Sequence, residues 1–476
     1  MSAPRKRICL VLEGTYPYVK GGVSVWAHEL IAGSPENDYV ILALTDRPRG
    51  PKDLQFDLPK NVVEVVTINL NEPRPARGWL TRFQGMGSAK PVARAFADAL
   101  EGLQRSDFSG LEPLVRGISA SKLDENALLN NAVFWDVISR LYAMSGQDDS
   151  IARFYWVWES MARGAVRLIR SDLPKADLYH AAATGYSGLV GCLAKLRYGK
   201  PLIVSEHGLY LQERQMEVAF HEFLQGGQRK AVETFFEWIS RWVYREADAV
   251  TSLAEFIRRH QMEHGASAAT AHVIPNGIDI GRFTRAAHRQ HKGFRIGLVG
   301  RVAPVKDIKL LVLAAAELRN FIPDLRVAVI GSVEDPVYER ECRALVSSRG
   351  LDSIVKFEGV KAPTACYGDL DLLVLCSLKE VQPLTVLEAM AAGVPMVATR
   401  SGGIPDMLSG IGQVVPPRDL TRLVRAIRRV YEDKALRERM IEAGRERVKS
   451  YDVATTLARF NDLYNRLTEA AWPASV

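Results

Sequence analysis

The chain has 476 residues, of which 47% are hydrophobic and 25% are charged. This balance is typical of a globular protein and excludes a disordered or fibrous one. Lysine and arginine number 62 against 55 aspartates and glutamates, a net charge of +7, which is too mild an excess at this length to imply nucleic acid. Because a domain is typically about 100–200 residues long, two or three domains are expected.

No apolar run approaches the roughly 18–20 residues of a membrane-spanning helix; examples are Leu310–Ala316 and Leu372–Cys376. Ile8–Leu12 follows the basic residues 5–7, but it is too short for a signal-peptide core and predicts a buried strand. Five scattered cysteines without a CxxC motif indicate reduced thiols. A cytoplasmic location is expected. The excess of positive charge indicates either contact with an anionic inner-membrane surface or polyanionic partner, or basic side chains that are scattered over a solvated surface.

The N-terminal half alternates strand-length apolar runs with helical segments, which is typical of parallel α/β units. The predicted strands are Ile8–Leu12, Tyr39–Ala43, Val62–Leu70, Ala176–Ala181, Leu202–Ser205, Ala249–Ser252 and Val273–Pro275. Helices are predicted after Gly21-Gly22 and over about 212–246. Between about 72 and 170, aromatic residues from Trp79 to Trp158 are spread among helical segments. This stretch predicts a helical insertion that either packs over the sheet or offers a docking surface.

The C-terminal half contains a second α/β series. Residues 284–292 are polar and basic without periodicity, and they are expected to link two domains. The predicted elements are strands Phe294–Val299, Arg326–Ile330, Val355–Glu358, Asp371–Cys376 and Pro395–Ala398, and helices Lys309–Asn320, Tyr338–Arg349 and Thr385–Ala392. Two doubly wound domains explain both series. Since open parallel sheets bind ligands at the carboxyl ends of their strands, two facing sheets would enclose a cleft.

The predicted domain limits are 1–285 and 286–451, with the helical insertion at about 72–170 in the first domain. The remaining residues, 452–476, are expected to form a C-terminal helix. The helical, amphipathic pattern over 436–471 predicts that this end of the chain packs back on the N-terminal domain.

Two cations follow the predicted strand Phe294–Val299 directly. Arg301 can bond two phosphate oxygens at once, and Lys306 supplies a movable charge. Two cations at one strand end suit a diphosphate. The alternative is a pair of solvated cations in a surface loop.

A helix start follows the predicted strand Asp371–Cys376. Pro383 stands where the first turn begins, a position that proline tolerates. The amides that begin this helix would point backwards out of it and form an anion site reinforced by the helix dipole. These amides belong to Leu384, Thr385 and Val386.

Two glutamates flank this helix start. Glu380 precedes the helix and Glu388 lies one turn inside it. Carboxylates readily accept hydrogen bonds from vicinal hydroxyls, so the spacing suits a sugar, a diphosphate and a ribose in one line. The alternative is two surface acids favoured by the helix dipole. Gly402-Gly403 would let the backbone approach a ligand closely, or would form a tight turn.

In combination, these motifs resemble the retaining glycosyltransferases of family four, which have the two-domain GT-B fold. The matching segments are VIPNGID at 273–279, GRVAPVKD at 300–307, EVQPLTVLEAMAAGVPMVAT at 380–399 and SGGIPD at 401–406. Three N-terminal segments resemble the PelF-like branch of Pel exopolysaccharide biosynthesis: LEGTYPYVKGGVSVW at 12–26, DLYHAAATGYSG at 177–188 and SEHGLYLQER at 205–214.

The resemblance implies a UDP-sugar donor, with UDP-glucose expected for this branch. Arg301 and Lys306 would hold the diphosphate, Glu388 the ribose hydroxyls and Glu380 the transferred sugar. Backbone amides that would assist them belong to Leu384 and Thr385. Two departures stand out. Asp307 replaces a glycine common in the family, and residues 381–383 (Val-Gln-Pro) replace a Gly-aromatic-Gly run, which leaves the donor preference open.

In the N-terminal half, the resemblance places Gly21 and Gly22 at a helix start beside the donor phosphate and the acceptor. It also places His207 against the donor sugar. The catalytic residues implied by the resemblance are therefore His207, Glu380, Arg301 and Lys306. His180 and His207 each follow a predicted strand, and for both the alternative is a structural histidine bonded to backbone.

No metal or cofactor is predicted. Asp369-Leu370-Asp371 leads into a predicted buried strand rather than a metal-binding loop, and cations with a helix start can stabilise a departing UDP without a metal. Retention would follow from same-face substitution, in which the leaving UDP oxygen accepts the proton of the acceptor. The implied partners are a polysaccharide acceptor and membrane proteins of an exopolysaccharide synthase, without nucleic acid. A noncatalytic UDP-sugar-binding subunit, a nucleotide-sugar epimerase and a phosphorylase remain as alternatives.

Overall fold

The computed structural model describes residues 5–72, 90–145, 150–220, 226–284 and 292–469. Its contacts divide the chain into two compact units. The first unit comprises residues up to Val273 together with the chain from Phe460 onward, and the second comprises Ile274–Arg459. Trp79, Phe83 and most of the predicted linker at 284–292 lie outside the described residues.

In the described residues, the first unit has a seven-stranded parallel sheet in the order β3-β2-β1-β4-β5-β6-β7. The strands are β1 Arg7–Glu13, β2 Asp38–Thr45, β3 Val62–Asn69, β4 Leu178–Ala181, β5 Leu202–Glu206, β6 Ala249–Ser252 and β7 Ala271–Val273. The order reverses between β1 and β4, which are paired in parallel. This is a topological switch point, where doubly wound sheets bind ligands.

Helices cover both faces of this sheet. They are α1 Gly22–Ala32, α2 Lys90–Gln104, α3 Leu111–Ala120, α4 Glu125–Leu129, α5 Ala132–Met144, α6 Ile151–Arg170, α7 Tyr186–Tyr198, α8 Tyr210–Phe220, α9 Gly226–Glu246 and α10 Glu255–Glu263. Helices α2–α6 lie between β3 and β4, and their apolar side chains share one core with the sheet. The helix predicted over about 212–246 corresponds to α8 and α9 in the described residues, and residues 221–225 between them lie outside those residues.

The second unit has, in the described residues, a six-stranded parallel sheet in the order β10-β9-β8-β11-β12-β13. Its strands are β8 Phe294–Val299, β9 Leu325–Ile330, β10 Val355–Gly359, β11 Leu372–Leu375, β12 Met396–Thr399 and β13 Gln413–Val415. The switch point lies between β8 and β11. Val327 and Val329 join one core cluster, while Ala328 and Ile330 join the other, so successive residues of β9 serve opposite faces.

The helices of the second unit complete a doubly wound arrangement. They are α11 Ile280–Thr284, α12 Ile308–Leu318, α13 Pro336–Ser348, α14 Leu384–Ala392, α15 Ile404–Leu408, α16 Leu420–Glu432, α17 Lys434–Val448 and the first part of α18 Val453–Glu469. The helical segment predicted over 436–471 is interrupted by a short 3-10 turn, Lys449–Tyr451. Throughout the described ranges, no helix is long and apolar enough to cross a membrane.

Helix α18 begins among residues of the second unit and ends among residues of the first. In the first unit, the Tyr464 hydroxyl lies 2.8 Å from Nδ1 of His180, and Asn37 donates to Asn461 at 3.1 Å. The structural division at 273/274 precedes the predicted one at 285/286. Residues from Ile274 onward belong to the second unit, where the amide of Ile278 donates to the carbonyl of Tyr451 at 2.9 Å.

Candidate active site

At the switch point of the second sheet, the loops that follow β8 and β11 are bonded to each other. The loop after β8 makes a 3-10 turn at Pro304–Lys306. The amide of Leu378, which follows β11, donates to the carbonyl of Val305 at 2.8 Å. This bond fixes the two segments that carry the predicted donor-binding residues.

Lys306 and Glu380 form an ion pair at this point. The Nζ–Oε1 distance is 2.5 Å, and the two side chains are only 16% and 12% exposed. Arg301 behaves differently, because its guanidinium is 60% exposed and pairs with Glu334. The fold therefore brings the predicted lysine and glutamate together, while the predicted arginine stands in solvent beside another carboxylate.

The start of α14 follows the ion pair in the chain, four residues after Glu380. Pro383 is the N-cap residue, with φ −68° and ψ 117°, rather than the first helical residue. The amide of Val386 donates to the Pro383 carbonyl at 3.0 Å, so the prediction that it is free for an anion is wrong. Leu384 and Thr385 remain as first-turn amides, which have no intrahelical carbonyl to pair with.

Glu388 lies one turn further along α14 and is half-buried. Burial raises the pKa of its carboxyl, while the hydrogen bond from Tyr367 and the charge of Arg282 oppose that rise. The Tyr367 hydroxyl donates to Oε2 of Glu388 from a fully buried position. Tyr367 thus fixes the glutamate, a role that sequence reasoning missed.

Gly402 meets the site from β12. Its φ is +51°, and a Cβ atom there would lie 1.5 Å from the Glu380 carbonyl oxygen. The adjacent amide of Gly403 donates to the Val381 carbonyl at 3.0 Å. The close approach predicted for these glycines is therefore an approach to the backbone that carries Glu380.

The two departures from the family pattern have structural counterparts. Asp307 has φ +44°, the left-handed region that favours glycine and that aspartate tolerates better than most residues. The buried Gln382 bonds both backbone groups of Asn276: Oε1 accepts from its amide at 2.8 Å, and Nε2 donates to its carbonyl at 3.1 Å. Gln382 therefore anchors the segment that precedes α11.

A cavity of about 250 Å³ opens at the switch point of the first sheet. Its polar lining comes from residues that follow or belong to β1, β5 and α8, namely Glu13, Thr15, Glu206, His207, Glu213 and Arg214. The guanidinium of Arg214 lies 3.8 Å from Oε1 of Glu13 and stacks over the ring of Tyr210. The cavity thus contains carboxylates, one cation and an imidazole.

His207 presents an unsatisfied nitrogen in this cavity. Its Nε2 is buried and has no hydrogen-bond partner among the described residues. Its ring centroid lies 4.2 Å from that of Trp26. Burial lowers the pKa of His207 to about 4, so the imidazole is neutral near pH 7 and can bond to an incoming group.

Two family models match the chain. Residues 6–269 match the family described as Domain of unknown function (DUF3492), and residues 282–447 match the family described as Glycosyl transferases group 1. The chain belongs to the DUF3492 family and is a glycosyltransferase, with residues 282–447 similar to the group 1 glycosyl transferases.

Relatives of this glycosyltransferase agree with that assignment. D-inositol 3-phosphate glycosyltransferase from Salinispora arenicola is 28% identical over 345 residues, which cover 65% of this chain and 73% of the relative. Sucrose-phosphate synthase from Thermosynechococcus elongatus superimposes with a TM-score of 0.61 at 19% identity, covering 98% and 100% of the two chains. Anabaena HepE, solved with UDP-glucose, gives a TM-score of 0.57 at 17% identity over 97% and 100%. The predicted GT-B fold is confirmed.

The remaining predicted residues of the glycosyltransferase fall outside the ion-pair cluster. Gly21 and Gly22 are exposed at the start of α1, and a Cβ at either would meet no atom within 4 Å. The protein itself therefore leaves space beside both. His180 is buried, with Nε2 at 2.6 Å from Oγ of Ser205 and Nδ1 bonded to Tyr464, so it is structural, although through side chains rather than backbone.

Glu206 is a buried residue of the glycosyltransferase to which sequence reasoning assigned no role. It is 2% exposed and accepts hydrogen bonds from Tyr244 at 2.6 Å and from Gln261 at 3.0 Å. Burial raises the pKa of its carboxyl to about 7. The family resemblance placed Glu206 near the cleft, and the sequence placed it at the end of an apolar strand. Neither signal reveals that its partners come from α9 and α10.

The aspartates at 369 and 371 have structural partners. Oδ2 of Asp371 accepts from the backbone amide of Arg295 at 2.7 Å, and Oδ2 of Asp369 lies 3.2 Å from the Arg295 guanidinium. Both carboxylates therefore fix the start of β8.

Proposed function

We propose that this glycosyltransferase transfers a hexose from a UDP-sugar, with UDP-glucose as the first candidate, to a growing Pel-type exopolysaccharide. The proposal includes retention of anomeric configuration and independence from metal. The observation that carries the donor part is the convergence of Lys306, Glu380 and the start of α14 at the switch point of the second sheet. Anabaena HepE, which has a similar fold, was solved with UDP-glucose. The N-terminal motifs support the Pel-type acceptor.

Charge complementarity supports the donor assignment. A diphosphate is attracted both by the Lys306 ammonium and by the amides of Leu384 and Thr385, which lie at the positive end of a helix dipole. Glu388 offers carboxylate oxygens to the vicinal hydroxyls of a ribose, and its bond from Tyr367 holds one of them in place.

The ion pair suggests how donor binding would proceed. In the ligand-free chain, Lys306 is neutralised by Glu380. On donor binding, the ammonium would exchange this carboxylate for the diphosphate, and the released Glu380 would accept bonds from the hexose hydroxyls. Arg301, exposed on the neighbouring loop, would add a second cation once it leaves Glu334.

The chemical step would be a same-face substitution. As the glycosidic bond to UDP breaks, the leaving phosphate oxygen accepts the proton of the acceptor hydroxyl, so no protein base is needed. The lysine, the arginine and the helix amides would stabilise the charge that develops on UDP. These groups would do the work of a metal ion, which is the basis of the proposed metal independence.

We assign the acceptor to the cavity of the first unit. Glu13 and Glu213 would accept hydrogen bonds from the hydroxyls of the acceptor. The neutral His207 lines the same cavity, and its unsatisfied Nε2 would bond to the donor sugar. The roles of His207 toward the donor sugar and of Gly21 and Gly22 beside the phosphate remain those implied by the family resemblance. Membrane proteins of an exopolysaccharide synthase would be the partners of the enzyme.

The test is a UDP-release assay with a panel of UDP-sugars, with and without oligosaccharide acceptor, in the presence and absence of EDTA. We expect UDP-glucose to be preferred, acceptor to stimulate release, EDTA to have no effect, and nuclear magnetic resonance to report a retained anomer. Absence of heat on titration of UDP into the folded protein would refute the donor site. Loss of activity in EDTA that magnesium or manganese restores would refute metal independence.

A further inference from the structure

The C-terminal end of α10 carries three side chains with metal-ligand chemistry that the proposed transfer reaction does not use. They follow the pattern His260-x-x-Glu263-His264. Their ligand atoms all lie within 4.8 Å of one another. Among the residues that the structure describes, this is the one group of three or more histidine, cysteine, aspartate or glutamate side chains close enough to hold a metal ion. From this geometry we propose that His260, Glu263 and His264 bind one divalent transition-metal ion, of which Zn²⁺ is the representative.

The helix places the two imidazoles side by side. Residues four apart lie on one face of a helix, one turn above each other. The ring centroids of His260 and His264 are 4.0 Å apart, and their planes are inclined by 41°. One ion can therefore be reached by both rings. Glu263 is exposed, so its carboxylate is free to rotate toward the same point.

The tautomer of His264 is set for coordination. Its Nδ1 lies 2.8 Å from the backbone carbonyl of His260. Because a carbonyl oxygen only accepts, Nδ1 carries the proton of the neutral ring, and the lone pair is on Nε2. A bond from the second ring nitrogen to a backbone carbonyl is the usual arrangement around a metal-bound histidine.

His260 supplies an independent observation. Its Nε2 is buried and has no hydrogen-bond partner among the residues that the structure describes. A buried polar atom without a partner carries a desolvation cost. A metal ion bound at this nitrogen would remove that cost.

The backbone beneath the cluster is held in place. Gln261, between the two histidines, points away from them and bonds to the buried carboxylate of Glu206 and to the Thr251 carbonyl. The nearby Arg258 is 3.0 Å from Oε2 of Glu255, so its charge is compensated. The ligands therefore sit on a fixed turn, as a preorganised site requires.

Two imidazoles and a carboxylate are a zinc donor set, with water as the fourth ligand of a tetrahedron. Magnesium and calcium prefer sites made entirely of oxygen. None of the three side chains lines the cavity assigned to the acceptor, and none belongs to the donor cluster around Lys306 and Glu380. We therefore assign the ion a stabilising role on the last turn of α10 and no part in sugar transfer.

The test uses the tag-free full-length chain. Zinc is titrated against a chromogenic chelator, and bound metal is counted after dialysis. The wild type should bind one equivalent, His260→Gln and His264→Gln should weaken binding about 100-fold or more, and the exposed Glu263→Gln should weaken it by about 10-fold. His272→Gln, which replaces a histidine of the same unit outside the cluster, should bind zinc like the wild type.

Two further measurements test the ligands and the role. X-ray absorption should show nitrogen and oxygen ligands at about 2.0–2.1 Å and no sulfur at about 2.3 Å, which separates this site from binding by the five buried cysteines. Zinc should raise the melting temperature of the wild type and of His272→Gln but not of His264→Gln, while UDP release stays unchanged in all of them. One equivalent bound equally by every variant, sulfur ligation, or no binding by the folded wild type would overturn the proposal.

Discussion

Replacement of Lys306 by alanine tests the donor site most directly. In the free chain this ammonium is paired with one carboxylate, that of Glu380, and both side chains are largely buried. In the proposed complex it would face a diphosphate, whose charge is at least one unit more negative. One additional unit charge at about 4 Å is worth about 4 kcal/mol at an effective dielectric constant of about 20.

This figure agrees with the roughly 2.7–4 kcal/mol by which removal of one preorganised charge donor raises a transition-state barrier. We therefore expect Lys306→Ala to lower kcat/KM with UDP-glucose by about 100- to 1,000-fold, and to weaken UDP binding measured by titration calorimetry. Initial rates of UDP release give the first quantity.

Lys309→Ala is the matched control. Lys309 lies three residues away, carries the same charge, and pairs with Glu341 on the surface at 2.7 Å, with 39% of its side chain exposed. Exposed pairs are worth about 0.2–1 kcal/mol, so the rate should change by less than about five-fold. Wild-type turnover in Lys306→Ala, or an equal loss in the control, would show that the ion pair is structural and that the diphosphate binds elsewhere.

Three further predictions concern the same cluster and the first unit. Glu380→Gln should leave the affinity for UDP alone unchanged or tighter, because Lys306 is released from its carboxylate, while sugar transfer falls at least about 10-fold; weaker UDP binding would contradict the exchange. Gly402→Ala should lower the free energy of unfolding in urea by more than about 2 kcal/mol, since its Cβ would lie 1.5 Å from a carbonyl oxygen, whereas Gly410→Ala, with φ +77° and no atom within 4 Å, should cost only about 1 kcal/mol; equal losses would contradict the steric argument. Burial raises the pKa of Glu206 to about 7 from 4.5, so between these pH values the folded state binds the proton that the unfolded state releases, and stability is lost as pH rises, by about 3 kcal/mol in total. The measurement is the free energy of unfolding in urea at several pH values, compared between wild type and Glu206→Gln. The buried histidines contribute to both proteins, so the difference between the two free energies reports Glu206 alone. A difference that does not change with pH would show that the carboxyl is exposed to solvent.

The strands and the fold class were predictable because they depend on local pattern. Strands covered on both faces are almost continuously apolar, as Ile8–Leu12 shows with every residue fully buried. The start of α14 was visible in the same way, from a proline followed by good helix formers. The hydrogen bonding of its first turn was not predictable. Whether the amide of Val386 is free depends on where the carbonyl of Pro383 points, and here that carbonyl accepts from the amide.

The partners within the site were not predictable from local sequence. Lys306 and Glu380 are 74 positions apart, and they meet because β8 and β11 are neighbours in the sheet. Tyr367 precedes β11 in a segment without any motif, yet it fixes Glu388. β13 has only three residues, too few to give a periodic signal. The two contacts within the site therefore depend on tertiary structure, which local sequence does not show.

Helix α18 belongs to both units, since it begins in the second and ends in the first. This has a consequence for the order in which the chain folds during synthesis. Residues up to Val273 are synthesised well before Tyr464. The buried His180, however, needs the hydroxyl of Tyr464 as the hydrogen-bond partner of its Nδ1. Domains generally fold in the order of synthesis. Here the first unit is completed only when translation reaches α18. A nascent chain that stops at the boundary between the units therefore leaves the partners of α18, such as His180 and Asn37, exposed to chaperones and proteases.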